Sequence, residues 1–140
     1  MAYFSDAQEV YDTVGRLFVE ITGEDDDLSP VLRAADTVVR YEYSRPDAVI
    51  TVRMQEADGE LVEFGETGTE PEVTMRMAAD TAHRFWLGDV NVTIAMARGE
   101  ITAAGPVAKV LRLVPLSKAA FPRYRQQLIE QGREDLATLV

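Results

Sequence analysis

The hydrophobic period of this sequence changes at Thr37, from about 3.6 residues to two. Residues 5–22 place their apolar side chains on one stripe at helical spacing. After the change, Val39, Tyr41 and Tyr43 alternate with polar side chains, as strands with one buried face do. A sheet with one dry face needs helices to cover that face. The pattern therefore predicts an α+β fold in which helices cover one face of a single sheet.

The remaining elements follow from the same periods and from turn residues. Ser5 and Gln8 have the spacing of a capping box for the first helix, and Asp80 and Asp89 are predicted to cap two later helices. The predicted strands are a four-strand meander at 37–44, 49–56, 61–66 and 72–78 and a short fifth strand at 100–104. The other predicted helices are 30–35, 80–87, 90–97, 107–113 and 122–131. This order predicts a single five-stranded, mostly antiparallel sheet within one domain, residues 1–140.

Charge and composition exclude several classes of function. The chain has 24 acidic and 14 basic residues, a formal net charge of -10, which would repel a nucleic acid backbone. It has no cysteine, and therefore no disulfide or thiolate site. We find no signal-peptide pattern and no apolar run of the ~18 residues that a membrane span needs. A cytoplasmic protein without stable membrane insertion is the expectation.

The residues that could carry catalysis or hold a metal fit other roles better. His83, the only histidine, follows Asp80 by three residues, which would suit an acid–base pair; the alternative is a helix cap with a surface histidine. The acidic run 24–27 lacks the alternating ligands and the glycine of a calcium loop. Pro106 follows Gly105 where a phosphate-binding loop needs Lys and Ser or Thr. We therefore expect no catalytic residue, metal or cofactor.

Two segments carry a resemblance to a known family. They are VTMRMAADTAHRFWLGD (73–89) and VTIAMARGEITAAGPVAKVLRLVPL (92–116), in which Gly99 and Gly105 flank a very short strand. In this order they resemble the sterol carrier protein family, the non-specific lipid-transfer type of domain. Many members have Lys and Asp where this chain has Glu100 and Pro106. The resemblance implies an apolar tunnel between sheet and helices that holds a sterol, a fatty acyl chain or another lipid, and it implies no shared catalytic residue.

A set of large or flexible apolar side chains, together with one alanine of the short strand, is predicted to surround that ligand. Thioether side chains adapt to irregular shapes, and Ala103 leaves volume beside a helix. Core packing without a cavity is the alternative for the same residues. The predicted ligand-binding residues are Met54, Met75, Met77, Phe85, Trp86, Ile94, Met96, Ala103, Leu111, Leu113, Leu116 and Phe121.

Three functional hypotheses remain, and they belong to different classes. The first is a lipid-binding protein without enzymatic activity, whose partner is an apolar small molecule. The second is an interaction or assembly module with a filled core, which would contact a partner or form a homodimer through Arg40, Glu42 and Arg53 or through the C-terminal helix 123–135. The third is a small enzyme that acts through His83.

Overall fold

The computed structural model describes residues 3–138. Its helices are α1 (Ala7–Val10), α2 (Arg16–Ile21), α3 (Ser29–Arg33), α4 (Ala79–Trp86), α5 (Val92–Ala97), α6 (Ala108–Leu111), α7 (Phe121–Glu130) and α8 (Glu134–Ala137). Its strands are β1 (Thr37–Ser44), β2 (Ala48–Met54), β3 (Val62–Phe64), β4 (Val73–Ala78) and β5 (Ile101–Ala104). A π-helical turn, Tyr11–Gly15, joins α1 to α2, and a 3-10 turn, Leu116–Ala120, precedes α7.

The five strands form one open sheet in the order β3-β2-β1-β4-β5. Three of the four pairings are antiparallel, whereas β1 and β4 are parallel, with Tyr41 opposite Met75 and Tyr43 opposite Met77. The prediction of a single, mostly antiparallel sheet is confirmed. The four-strand meander is wrong, because the chain after β3 crosses over and adds β4 on the far side of β1. Alternation within a strand shows which side chains are buried, but it does not show which neighbour the strand pairs with.

The first helical segment buries the stripe that the sequence predicts. Val10, Val14, Leu17 and Ile21 are all buried against the sheet. The cap is Asp6, whose carboxylate accepts a hydrogen bond from the Glu9 amide, so the predicted capping box at Ser5 is wrong. An aspartate carboxylate one residue later fulfils the same requirement for an acceptor at the helix start.

The two sheet faces differ in the way that the alternation predicts. Val39, Ile50, Val52 and Val73 lie on the core face and are fully buried under the helices. The opposite face carries charged pairs, among them the Arg76 guanidinium 2.8 Å from the Glu42 carboxylate and Arg53 3.4 Å from Glu63. One face is thus dry and covered, and the other is polar.

The later helices begin at other residues than the sequence predicts. The Asn91 side chain accepts a hydrogen bond from the Ile94 amide and caps α5, in place of Asp89. Asp80 lies inside the first turn of α4 and accepts a hydrogen bond from the Tyr3 amide, so it is not a cap. The helix predicted at 107–113 is the single turn α6, and α8 was not predicted. None of the helices within residues 3–138 has the length and apolar character that a membrane crossing requires.

Candidate functional site

An apolar cavity lies between the core face of the sheet and the helices that cover it. Its volume is about 70 Å³. Aliphatic and aromatic side chains and Met make up the wall apart from Ser117, and none of the described residues that line it is charged. The lining residues are Phe18, Ile21, Leu32, Tyr41, Tyr43, Met54, Met75, Met77, Ala82, Phe85, Trp86, Val92, Ile101, Val110, Leu111, Leu113, Val114 and Ser117.

The sheet contributes one side of the wall through neighbouring strands in register. Tyr41 and Tyr43 of β1 lie opposite Met75 and Met77 of β4, and Met77 in turn lies opposite Ile101 of β5. Because side chains two residues apart on a strand share a face, these side chains all point to the same side of the sheet. The parallel β1–β4 pairing therefore places two tyrosines beside two methionines at the cavity.

Helices α2 and α4 contribute an aromatic part of the wall. The Trp86 ring meets Phe18 edge-on at a centroid distance of 5.5 Å and Phe85 at 4.9 Å. Ala82, one turn before Trp86 on α4, leaves space in front of the sheet. Trp86 is the only tryptophan of the chain, so tryptophan fluorescence reports on the surroundings of this one side chain, which lines the cavity.

The segment between β5 and α7 closes the cavity on a third side. It contributes Val110, Leu111, Leu113 and Val114 from α6 and the residues that follow it. Leu111 also has 36% of its surface exposed, so this part of the wall lies between the cavity and solvent. The helix in this part of the wall, α6, has only four residues.

The structure brings seven of the predicted ligand-binding residues into the cavity wall. They come from β2, β4, α4 and the segment after β5, which are far apart in the sequence. The seven are Met54, Met75, Met77, Phe85, Trp86, Leu111 and Leu113.

Five predicted residues lie outside the wall. Ile94 and Leu116 are exposed, at 49% and 48%. Helix α5 and the 3-10 turn are short, and each buries residues on only one of its sides. Met96 and Ala103 pack against the core beside the cavity, and the room that Ala103 was expected to leave lies next to Ile101 instead. Phe121 packs behind the wall, with its ring 5.6 Å from that of Phe85.

The remaining lining residues were not predicted as ligand-binding. For Phe18 and Ile21 the signal was present, since both lie on the apolar stripe of the first helix. Tyr41 and Tyr43 likewise lie on the dry face of β1. Both patterns identify core residues, but neither shows which part of a core is left unfilled.

The polar side-chain groups in this wall are the hydroxyls of Tyr41, Tyr43 and Ser117 and the indole N–H of Trp86. The Ser117 hydroxyl donates a hydrogen bond of 2.8 Å to the Leu113 carbonyl and is thereby satisfied. Burial in the apolar wall raises the pKa of the Tyr41 and Tyr43 hydroxyls above its usual range. Both tyrosines are therefore protonated at neutral pH and can donate a hydrogen bond.

His83 lies in the core and away from the cavity. Its side chain is fully buried, and Nδ1 forms a hydrogen bond of 2.8 Å with the Tyr124 hydroxyl. The interpretation of His83 as a surface residue is therefore wrong. Histidine is amphipathic, and its partner Tyr124 is 41 residues away, so local sequence could not show this burial.

Comparisons with known proteins support the fold and not a closer relationship. No family model matches the sequence, and no curated protein matches it either. Among solved structures, sterol carrier protein 2 from Yarrowia lipolytica in its apo form aligns with a TM-score of 0.65 at 11% identity, covering 86% of this chain and 98% of that one. The sterol carrier protein domain 2 of Helicoverpa armigera gives 0.63 at 18% identity, covering 86% and 96%.

A third structure was solved with a lipid. Sterol Carrier Protein-2 from Aedes aegypti in complex with palmitate aligns with a TM-score of 0.55 at 15% identity and covers 84% of this chain and 98% of that one. At such identities the likeness shows the fold alone. The resemblance recognised in residues 73–116 is therefore confirmed at the level of architecture. This chain has the fold of the sterol carrier protein 2 (SCP2) domains.

Proposed function

We propose that this protein binds a lipid such as a sterol, a fatty acid or another acyl lipid, with the apolar part of the lipid in the cavity. The observation that supports this most strongly is the cavity wall itself, which is apolar and uncharged and lies between sheet and helices. Palmitate in the Aedes aegypti protein of the same fold supports the same class of ligand.

The energetics of burial agree with this proposal. Each methylene transferred from water to an apolar site contributes about 0.8 kcal/mol, so ten of them contribute about 8 kcal/mol. That free energy corresponds to a dissociation constant of about 1 μM. Specific polar contacts are not required for binding of this strength.

The ligand must widen the cavity when it enters. A volume of about 70 Å³ is well below the roughly 300–1,000 Å³ of small-molecule pockets. Met54, Met75 and Met77 can change rotamer at little cost, and the single turn α6 has few backbone hydrogen bonds to lose. We infer that these two parts of the wall move apart for the lipid.

We propose a binding protein and not an enzyme. His83, the only imidazole of the chain, is buried against Tyr124 and lies outside the cavity wall. Transfer or sequestration of the lipid, the option of a homodimer, and a cytoplasmic location remain predictions from the sequence.

The small cavity also favours the second hypothesis, an interaction module with a filled core. On its proposed strand surface, Arg40 donates a hydrogen bond to the Thr69 carbonyl, and Glu42 and Arg53 have charged partners within the chain. These three side chains therefore already have partners within the chain. The C-terminal helix α7 leaves Ile129 exposed at 41% and is the better surface for a partner.

Native mass spectrometry of the protein after mild extraction from cells tests the proposed function. We expect a lipid adduct on the wild-type chain and its loss in Ala82→Leu, which fills the cavity from α4. Ala108→Leu makes the same substitution at an exposed position of α6 and should keep the adduct. A wild-type chain that carries no lipid, and takes none up from vesicles, would favour the interaction module.

A further inference from the structure

Two tyrosine side chains lie next to each other on the cavity side of β1. The rings of Tyr41 and Tyr43 are nearly parallel, with centroids 6.2 Å apart and planes at 21°. Phe18 of α2 packs on Tyr41 at 5.0 Å, which holds that ring against the sheet. Only 5% of the surface of Tyr43 is exposed to solvent. Both residues line the cavity.

The hydroxyl groups of these two tyrosines have no hydrogen-bond partner among residues 3–138. By contrast, the Tyr124 hydroxyl forms a hydrogen bond with His83, and the Tyr11 hydroxyl accepts one from the Val49 amide at 3.2 Å. Phenylalanine would fill an apolar wall equally well, so packing alone does not account for the two hydroxyl groups. The pair of hydroxyls is therefore available to form hydrogen bonds with a molecule that enters the cavity.

The charge around the cavity limits what that group can be. No Lys, Arg or His is among the described lining residues. An ionised carboxylate buried there would lose its hydration and find no counter-ion. Tyr43 also lines a separate outer cleft, together with the charged residues Glu42, Arg45, Arg76 and Glu100. Arg76 in that cleft is already paired with Glu42.

We infer that the cavity selects lipids whose buried end is an uncharged oxygen group, an alcohol or a carbonyl, and that Tyr41 and Tyr43 bind this group. The inference rests on the proposed function and narrows its ligand class. An uncharged oxygen accepts the hydrogen bonds that the two hydroxyls offer and needs no counter-ion. A fatty acid would then bind with its carboxylate at the solvent side and its methyl end inside.

The test measures how four ligands of equal chain length bind to wild type and to the double variant Tyr41→Phe/Tyr43→Phe. The ligands are dodecane, dodecan-1-ol, dodecan-2-one and laurate at pH 8, each presented as a cyclodextrin complex. They compete with 1-bromododecane, whose bromine quenches Trp86 and which has no oxygen. Comparing the same ligand on two proteins cancels its solubility.

We expect the double variant to bind the alcohol and the ketone about tenfold more weakly, because a net hydrogen bond of ordinary strength corresponds to roughly that factor. Dodecane, laurate and 1-bromododecane should bind equally to both proteins. Tyr124→Phe serves as a matched control, since it removes a buried hydroxyl that lies outside the cavity wall. It should leave the ligand preference unchanged.

Two outcomes would overturn the inference in different ways. If the double variant keeps the wild-type affinity for the alcohol and the ketone, or loses affinity for all ligands alike, the hydroxyls do not recognise a polar end. If wild type binds neither 1-bromododecane nor any of the four ligands, the proposed function fails together with the inference. A thermal melt of each variant verifies that it is folded; we expect Tyr124→Phe, and not the double variant, to lose stability.

Discussion

The buried histidine makes stability depend on pH in a range where few other groups titrate. Burial lowers the pKa of His83 to about 4, because the imidazolium would lose its hydration in the core. The carboxylates of Asp80 and Asp135 oppose this shift, and Arg133 adds to it. The ring also lies between Tyr3 and Phe4, at centroid distances of 4.7 and 5.3 Å. His83 is therefore neutral in the folded protein at pH 7.

We predict that the protein loses stability as the pH falls from about 6.5 to 4. The unfolded chain binds a proton with an ordinary pKa of 6.5, while the folded chain resists protonation until about pH 4. The stabilisation is thus complete above pH 6.5, and the loss amounts to roughly 3 kcal/mol at pH 4. Urea unfolding at pH 7, 6, 5 and 4.5 measures it.

His83→Gln is the control for this pH dependence. It should show a nearly constant free energy of unfolding between pH 7 and 5, whatever its absolute stability. Asp26, Glu72 and Asp135 have lowered pKa values, so their contribution begins to be lost only below about pH 5. A wild-type free energy that does not change between pH 7 and 5 would show that His83 is accessible to protons in the folded state.

The two glycines that flank β5 should differ in their tolerance of a side chain. Both have left-handed backbone angles, with φ of +94° at Gly105 and +77° at Gly99. A Cβ at Gly105 would lie 2.2 Å from the Glu72 carbonyl oxygen, whereas nothing lies within 4 Å of one at Gly99. We predict that Gly99→Ala costs about 1–2 kcal/mol from backbone strain alone. Gly105→Ala should cost about 3 kcal/mol or more, because the chain must also move away from β4.

Chemical denaturation of the two variants measures this difference. Equal losses at both positions would mean that the close approach between Gly105 and the start of β4 is not maintained in solution. A larger loss at Gly105 would show that this glycine fixes the point at which the segment with α6 leaves the sheet.

The side chain of Lys109 links helix α6 to residues next to the sheet. The Lys109 ammonium lies 2.8 Å from the Glu72 carboxylate and donates a hydrogen bond of 3.2 Å to the Asp36 carbonyl. Thr37 donates a further hydrogen bond to Glu72. Lys109 lowers the pKa of Glu72 by hydrogen bonding to the carboxylate form. This group of contacts links α6, which carries part of the cavity wall, to the ends of the sheet strands.

We predict that Lys109→Met increases the rate at which a lipid enters and leaves by severalfold. The variant removes the ammonium and keeps most of the aliphatic side chain, so the packing of α6 changes little. Stopped-flow quenching of Trp86 by 1-bromododecane measures both rates. Arg84→Met removes an exposed ion pair of 3.4 Å with Asp89, away from α6, and should leave the rates unchanged. Equal rates in wild type and Lys109→Met would mean that the ligand enters elsewhere.

For the molecule as a whole, the sequence predicts the layers of sheet and helix better than it predicts which strands and side chains contact each other. The alternation in residues 37–78 specified one dry sheet face, and the helical stripe of residues 5–22 specified a helix to cover it. The parallel pairing of β1 with β4 could not be predicted, because Met75 and Met77 alternate in the same way next to any neighbour. The burial of His83 could not be predicted either, because its hydrogen-bond partner Tyr124 lies 41 residues away in the sequence. Both are contacts between distant parts of the chain.

The sequence predicted the region of the cavity, but not the full set of residues that line it. Bulky side chains of β4 and α4 reach it because alternation and helical period direct them inward. Ile94 and Leu116 do not, because the elements that carry them are too short to bury a second side. Tyr41 and Tyr43 were recognisable as core residues, but their place in the cavity wall becomes visible only once the surrounding atoms are placed.

A single fluorescence titration shows whether a lipid occupies the space beside Trp86. Because the chain has a single tryptophan, quenching of its emission by 1-bromododecane can arise only next to that side chain. We predict saturable quenching with a stoichiometry of one and a dissociation constant near 1 μM, abolished by Ala82→Leu and retained by Ala108→Leu. Quenching that is absent, or that rises linearly and equally in all three proteins, would contradict the account.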